Sequence, residues 1–322
     1  MKRNTIMHRA VRGVRRNYQA YTQLAAARYP DATRKFQPIA DSFTKPKVWA
    51  TTAFLAVITI VAVNVATQTQ QAPYGRAAET CHRTATTGNF ASQVSSTQPG
   101  QTLCLESGNY GNWTGVLKSS PGITIREAEG AEAKFNQLNF ASGPGANIGW
   151  FILDGIDYVG GALCAPANNI TIKNATQSGY FQVNAGSGPS ANNACTSAPQ
   201  MDNANIVWDN VRFDMSACPS GSCLGNEGRL SFVYGSTVDA GITVQNSTFT
   251  LNCGDGIQFT GSSNAGRGVR VVNNEFVNLT QQGCDDVFPG DDSKAPHTDS
   301  VQFVGGGHVV FENNWFHNIS TG

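Results

Sequence analysis

Two stretches of the chain are nearly the same phrase. CGDGIQF, residues 253–259, and HTDSVQF, residues 297–303, each place an Asp two residues before a β-branched apolar residue, with Gln and Phe following. The pairs are Asp255 with Asp299, Ile257 with Val301, Gln258 with Gln302 and Phe259 with Phe303. On neighbouring strands the two carboxylates would stand roughly 5 Å apart, a separation that suits a shared cation or the acid pair of a retaining glycosidase. Between the copies, GCDDVFPGDDSKAPH, residues 283–297, adds Asp285, Asp286, Asp291 and Asp292 beside Cys284. Such an oxygen-only donor set, with Asp255 and Asp299, fits Ca²⁺; a solvated acidic surface is the plainer alternative. His297 is a candidate general base near neutral pH or a turn histidine bonded to backbone. Lys294 and Arg267 are candidate catalytic cations, with Arg229 and Arg270 also available.

Holding two such groups at strand spacing requires a repeat, and the chain has one. NITIKNAT, NIVWDNVRF, GITVQNSTF, GVRVVNNEF and HVVFENNWF align on an apolar pair followed by Asn174, Asn210, Asn246, Asn273 and Asn313. Four of these Asn have a Phe three positions later, and WFILDGIDY is a looser sixth copy with Gly155 in the Asn place. Apolar-any-apolar is a short strand with one buried face, and Asn marks the turn after it. Repeat distances of 19, 36, 36, 27 and 40 residues leave the strand-turn core constant and the loops variable, which predicts stacked coils of strand. The Asn residues are expected in one column of mutually bonded amides and the Phe residues in a stacked ladder. The doubled phrase then falls on a further strand of consecutive coils, with Phe181, Leu230, Ile257 and Val301 inward. Gln182, Ser231, Gln258 and Gln302 form an outward, substrate-binding column.

The zero formal charge hides an asymmetry. Residues 1–47 hold eleven Lys or Arg against Asp31 and Asp41, so the remainder is net negative and is no nucleic-acid binder. Residues 48–67, VWATTAFLAVITIVAVNVAT, are uncharged and long enough to span a bilayer. The expectation is a cytoplasmic basic tail, one transmembrane anchor, a linker at 68–80 and an ectodomain at 81–322, extracellular or periplasmic. A cleaved signal peptide is the rival, and 47 residues make a long leader for one. All eight Cys follow residue 80, on the side where disulfides persist. Proximity pairs Cys81 with Cys104, Cys164 with Cys195, Cys218 with Cys223 and Cys253 with Cys284, among 105 possible pairings. HVVFENNWF is followed closely by ISTG, so the domain reads as incomplete at that end or capped by a partner.

The opening of the ectodomain, FASQVSSTQPGQTLCLESGNYGNWTG followed by GITIREAEG, resembles the entry coil of alginate- and chondroitin-lyase-type proteins. Pro99, Gly100, Thr102, Gly108 and Tyr110 fill that motif, and residues 90–97 stand where its capping helix lies. Residues 81–322 thus resemble the pectate-lyase-like right-handed parallel β-helix family, extracellular polysaccharide lyases and hydrolases. The resemblance implies an all-β, right-handed parallel β-helix, an acidic carbohydrate polymer as partner and Ca²⁺ as cofactor. The T-D-S at 298–300 resembles the N-T-D-G of polygalacturonases, with His297 and Gln302 departing from it. Two functions stay open: cleavage of an acidic polysaccharide, or a non-catalytic surface β-helix binding glycans through Trp113, Tyr180 or Trp315.

Overall fold

The computed structural model describes residues 80–140, 147–164, 166–185, 200–214, 229–250, 255–277 and 299–319. The chain divides into Met1–Ala78 and Glu79–Gly322, and all described residues belong to the second unit. The basic tail and the apolar stretch 48–67 lie outside them. Among the described residues no helix is long and apolar enough to cross a membrane.

The described part is an all-β parallel solenoid. Nine strands, from Arg83–Ala85 through Ile148–Asp154, Ala167–Lys173, Ile206–Asp209, Ile242–Gln245 and Val269–Val272 to Val310–Glu312, pair in sequence order as a first sheet. In it Ile170, Ile206, Ile242 and Val269 share one register position and Ile172, Trp208, Val244 and Val271 another, each 0–1 % exposed. This is the period-2 pattern doing what alternation dictates.

The second sheet forks. Two long strands, Ala133–Phe140 and Asp157–Cys164, pair along their length. Beyond them each coil has two shorter strands where these had one. A middle branch starts at Tyr158 and runs through Thr176–Gln177, Arg212–Asp214, Thr248–Thr250 and Glu275–Val277 to Trp315–His317. A far branch starts at Gly161–Cys164 and runs through Phe181–Asn184, Leu230–Tyr234 and Ile257–Thr260 to Val301–Val304. Gly160 and Gly161 lie at the fork, where an added Cβ would stand 2.1 Å from the carbonyl oxygens of Tyr180 and Leu138 respectively.

The Phe column forms as expected. Phe213, Phe249, Phe276 and Phe316 stack with centroids 4.2, 4.5 and 4.6 Å apart and planes within 9°. A second ladder joins Phe232, Phe259 and Phe303 at 5.0 Å per step, so the Phe of the doubled phrase is architectural. Each buried ring contributes about 1.5–3 kcal/mol by leaving water.

The Asn column is correct in place and different in mechanism. Asn174, Asn210, Asn246, Asn273 and Asn313 all adopt φ of 52–57°, and Gly155 takes 74° in the equivalent place. Left-handed backbone is what the turn demands, and Asn tolerates it. The amides do not form one chain: Asn210 Nδ2 donates to Asn174 Oδ1 at 2.8 Å, while Asn246 Nδ2 turns to Asp209 Oδ1 at 2.7 Å. The buried side-chain ladder sits one residue later. Asn314 Oδ1 accepts from the Asn274 backbone N–H, Asn274 Oδ1 from that of Ser247, and Ser247 Oγ from that of Val211.

The entry coil explains its motif. Helix Phe90–Ser96 buries Phe90 and Val94, one turn apart, with Phe90 against Tyr110, Trp113 and Phe135 at 5.2–5.6 Å. Pro99 follows its end, and Lys118 Nζ donates to the terminal carbonyls of Ser95 and Thr97 at 2.9 and 2.8 Å. The Tyr110 hydroxyl lies 2.8 Å from the carbonyl oxygens of both Ala85 and Glu106. Cys81 and Cys104 form the expected disulfide. Cys164 is also disulfide-bonded; Cys195, Cys218, Cys223, Cys253 and Cys284 lie outside the described residues.

Candidate functional site

The far branch brings the polar column together in the expected register: Gln182 beside Ser231, Ser231 beside Gln258, Gln258 beside Gln302. Two of its hydrogen bonds run between coils and a third runs back along the chain within one coil. Ser231 Oγ donates to Gln258 Oε1 at 3.2 Å, Gln258 Nε2 to Gln302 Oε1, and Gln302 Nε2 reaches Asp299 Oδ2 at 3.4 Å. The column is not an open groove. Gln182, Ser231 and Gln258 are 1, 2 and 8 % exposed, and only Gln302 is half-buried. Alternation assigns a face, and nothing in alternation says whether that face meets water.

The two Asp of the doubled phrase have unlike fates. Asp255 is fully buried, and its Oδ1 accepts the backbone N–H of Asp299 at 2.9 Å. The coils are also tied there by Gly256 N–H to Asp299 O at 2.8 Å. Asp255 shares strand parity with the inward Ile257, which places it at the corner of the coil. The two residues are therefore joined through the Asp299 backbone. Asp299 is half-buried, and its carboxylate meets the polar column at Gln302.

Arg267 stands after the strand Ile257–Thr260 while Asp255 stands before it, so the two flank opposite ends of that strand. Its guanidinium donates to Thr237 O at 2.8 Å. Arg270 pairs with Glu312 at 3.2 Å on the first sheet. Lys294, His297 and the acids Asp285, Asp286, Asp291 and Asp292 lie outside the described residues. Among the described residues no group of three or more His, Cys, Asp or Glu could hold a metal ion. Of the aromatic candidates, Trp113 is core, 9 % exposed and stacked on Phe135 at 5.7 Å. Tyr180 is half-buried, and Trp315 is 61 % exposed with its ring 3.9 Å from that of His317. His317 in turn meets Glu275 at 2.8 Å.

Arg229 is the residue that sequence reasoning left without a place. It stands directly before the far-branch strand Leu230–Tyr234 and is 4 % exposed. Burial pulls its guanidinium down to about 10, against an opposing pull from the Asp214 carboxylate. Its backbone is held on both sides, the N–H by Asp255 O at 3.0 Å and the carbonyl by Phe181 N–H at 3.0 Å. Gln177 Nε2 donates to the same carbonyl at 2.7 Å. Gln177 occupies the Phe column: it is the residue three after Asn174, where the other copies have Phe. Its Oε1 accepts from Tyr158, whose oxygen accepts from Trp208 Nε1, at 2.9 and 3.2 Å. That one break in the Phe periodicity was the available signal.

No family model matches the chain, and no curated protein or solved structure matches it.

Proposed function

We propose that the ectodomain is a right-handed parallel β-helix of pectate-lyase-like type that binds an acidic polysaccharide at the Asp299 end of the far branch. The observation that carries this reading is the half-buried pair Gln302 and Asp299, joined by a side-chain hydrogen bond and backed by the buried Gln258. Cleavage, as lyase or hydrolase, would draw on Asp299 with His297 and Lys294. Asp255 would act as a positioning residue, since one of its oxygens is committed to the Asp299 amide. Ca²⁺ would be held by Asp299 and the acidic insert, all oxygen donors, and would acidify a uronate; Asp255 fits that donor set less well. The tail 1–47 would remain cytoplasmic, with residues 48–67 as anchor and the disulfide-bearing β-helix outside the cell or in the periplasm.

Incubation of the full chain with uronate polysaccharides, with and without Ca²⁺, tests the proposal through appearance of the ultraviolet-absorbing unsaturated product and through retention on the polymer. Product supports a lyase, and reducing ends without that absorbance support a hydrolase. Retention with neither supports the non-catalytic surface reading, which the burial of Asp255 favours. No retention and no product on any acidic polymer removes the reading.

A further inference from the structure

Past the fork, the two branches lose the strand continuity that Ala133–Phe140 and Asp157–Cys164 give them, so their relative placement is open to a side-chain tie. Gln177, the last residue of the middle-branch strand Thr176–Gln177, supplies one. It is fully buried, and its Nε2 donates to Gly179 O at 2.8 Å in its own coil and to Arg229 O at 2.7 Å at the head of the next far-branch strand. The same Arg229 carbonyl accepts Phe181 N–H at 3.0 Å, so one acceptor gathers a donor from each branch.

From Arg229 the line continues to the candidate site. Arg229 N–H donates to Asp255 O at 3.0 Å, Asp255 Oδ1 accepts Asp299 N–H at 2.9 Å, and Gly256 N–H donates to Asp299 O at 2.8 Å. At the other end the Gln177 amide is held in one orientation. Its Oε1 accepts the Tyr158 hydroxyl at 2.9 Å, and that hydroxyl oxygen accepts Trp208 Nε1–H at 3.2 Å. Both rings are buried, so the line is rooted in close-packed core. Gln177 stands in register with Phe213, the first ring of the Phe ladder. A Phe at residue 177 would lengthen the stack and offer Arg229 no donor. Burial penalises an amide at such a position unless its groups find partners, and here the partners lead to Asp299.

We propose that Gln177 is a positioning residue for the candidate site: acting through the Arg229 and Asp255 backbones, it fixes where Asp299 stands on the far branch. The tie itself rests on hydrogen bonds alone; its bearing on ligand binding rests on the polysaccharide reading above.

Amide hydrogen exchange is compared in detergent-solubilised full chain, wild type against Gln177→Met, which keeps the length and loses the donor. Exchange at Arg229, Gly256 and Asp299 quickens by about fivefold or more in the variant, with the first-sheet amides of Ile206 and Ile242, bonded to Gly241 O and Gly268 O, unchanged. Equal quickening of all these amides would mean that Gln177 serves stability alone, and no quickening at Asp299 would mean that the line stops short of the site; either overturns the proposal. Should Gln177→Met fail to fold, Gln177→Phe takes its place with the same readings. Should neither fold, the wild type decides: one common protection for Arg229, Gly256 and Asp299 supports the line, and an open Asp299 amide beside a protected Arg229 overturns it. In parallel, polygalacturonate affinity is measured with Ca²⁺ present. A loss of about fivefold or more in the variant supports Asp299 placement as what the polymer reads; unchanged affinity beside a quickened Asp299 overturns the positioning role. Absence of any wild-type affinity for polygalacturonate removes the polysaccharide reading, while the exchange result still decides the tie.

Discussion

The Phe ladder of the middle branch and the polar column of the far branch run side by side through the same coils, yet they are built on opposite rules. In the ladder Phe213, Phe249, Phe276 and Phe316 repeat one residue in one geometry. In the column a Ser interrupts three Gln, and the bonds differ from step to step: Ser231 donates to Gln258, Gln258 to Gln302, and Gln182 Nε2 to neither. Apolar stacking is satisfied by proximity alone, so a repeated residue suffices. Buried polar groups must each find a partner, so every coil solves a separate problem. Gln177 is where the two rules meet, a polar residue in the apolar ladder that serves the polar side.

Phe249→Ala should break the comparison most sharply. Its ring stacks on both sides, and its loss should cost about 3–5 kcal/mol by denaturant unfolding. A cost near 1 kcal/mol would show that the coils close up around the gap. Tyr158→Phe comes next, at about 1–3 kcal/mol, since it leaves the buried Gln177 and Trp208 groups short of a partner. The same hydroxyls give a pH dependence. Burial holds the Tyr158 and Tyr110 phenols above their ordinary value. Their contribution is complete below the unfolded pKa of about 10 and is lost as pH rises beyond it, because the unfolded chain releases those protons first. Stability should therefore fall above about pH 10, and the fall should shrink in Tyr158→Phe.

A smaller effect separates turn from ladder. Asn246→Ala should cost about 1 kcal/mol and Asn246→Gly only a few tenths, because the residue is there for its left-handed backbone. If Gly costs as much as Ala, the Asp209 contact is what matters. Ser231→Ala is the mildest, under about 1 kcal/mol, since the lost hydroxyl donates only one 3.2 Å bond. A cost as large as that of Tyr158→Phe would mean the column is as architectural as the ladder.

Much of this was legible in the sequence. The offset from apolar pair to Asn to Phe located the first sheet, the turn and the middle branch, because stacking in register imposes a fixed offset. The alignment of Phe181–Gln182 and Leu230–Ser231 with the doubled phrase located the far branch. A second left-handed column, just before the first-sheet apolar positions, was not legible. Gly122, Trp150, Asn169, Asn205, Gly241, Gly268 and His308 share a positive φ of 51–88°, but Gly and Asn interchange there and Trp150 and His308 break the pattern. The inner ladder of Ser247, Asn274 and Asn314 was hidden because its members stand beside a more regular Asn. Burial of Gln182 and Ser231 was beyond reach, since periodicity reports direction and not depth. The acids of the insert, on which the Ca²⁺ expectation rests, fall outside the described residues.

The fork in the second sheet governs where this protein can acquire new parts. Within Ala133–Phe140 and Asp157–Cys164 the two branches are one unbroken strand, and an inserted residue would shift every pairing downstream by one place. Past the fork, the junction between Asp214 and Leu230, or between Val277 and Val301, carries length that the ladders on either side do not register. The first coils act as a fixed gauge that sets the pitch, and the later ones as sockets into which sequence can be plugged without disturbing it. Novelty should therefore accumulate at one corner of the later coils, beside the column that ends in Asp299.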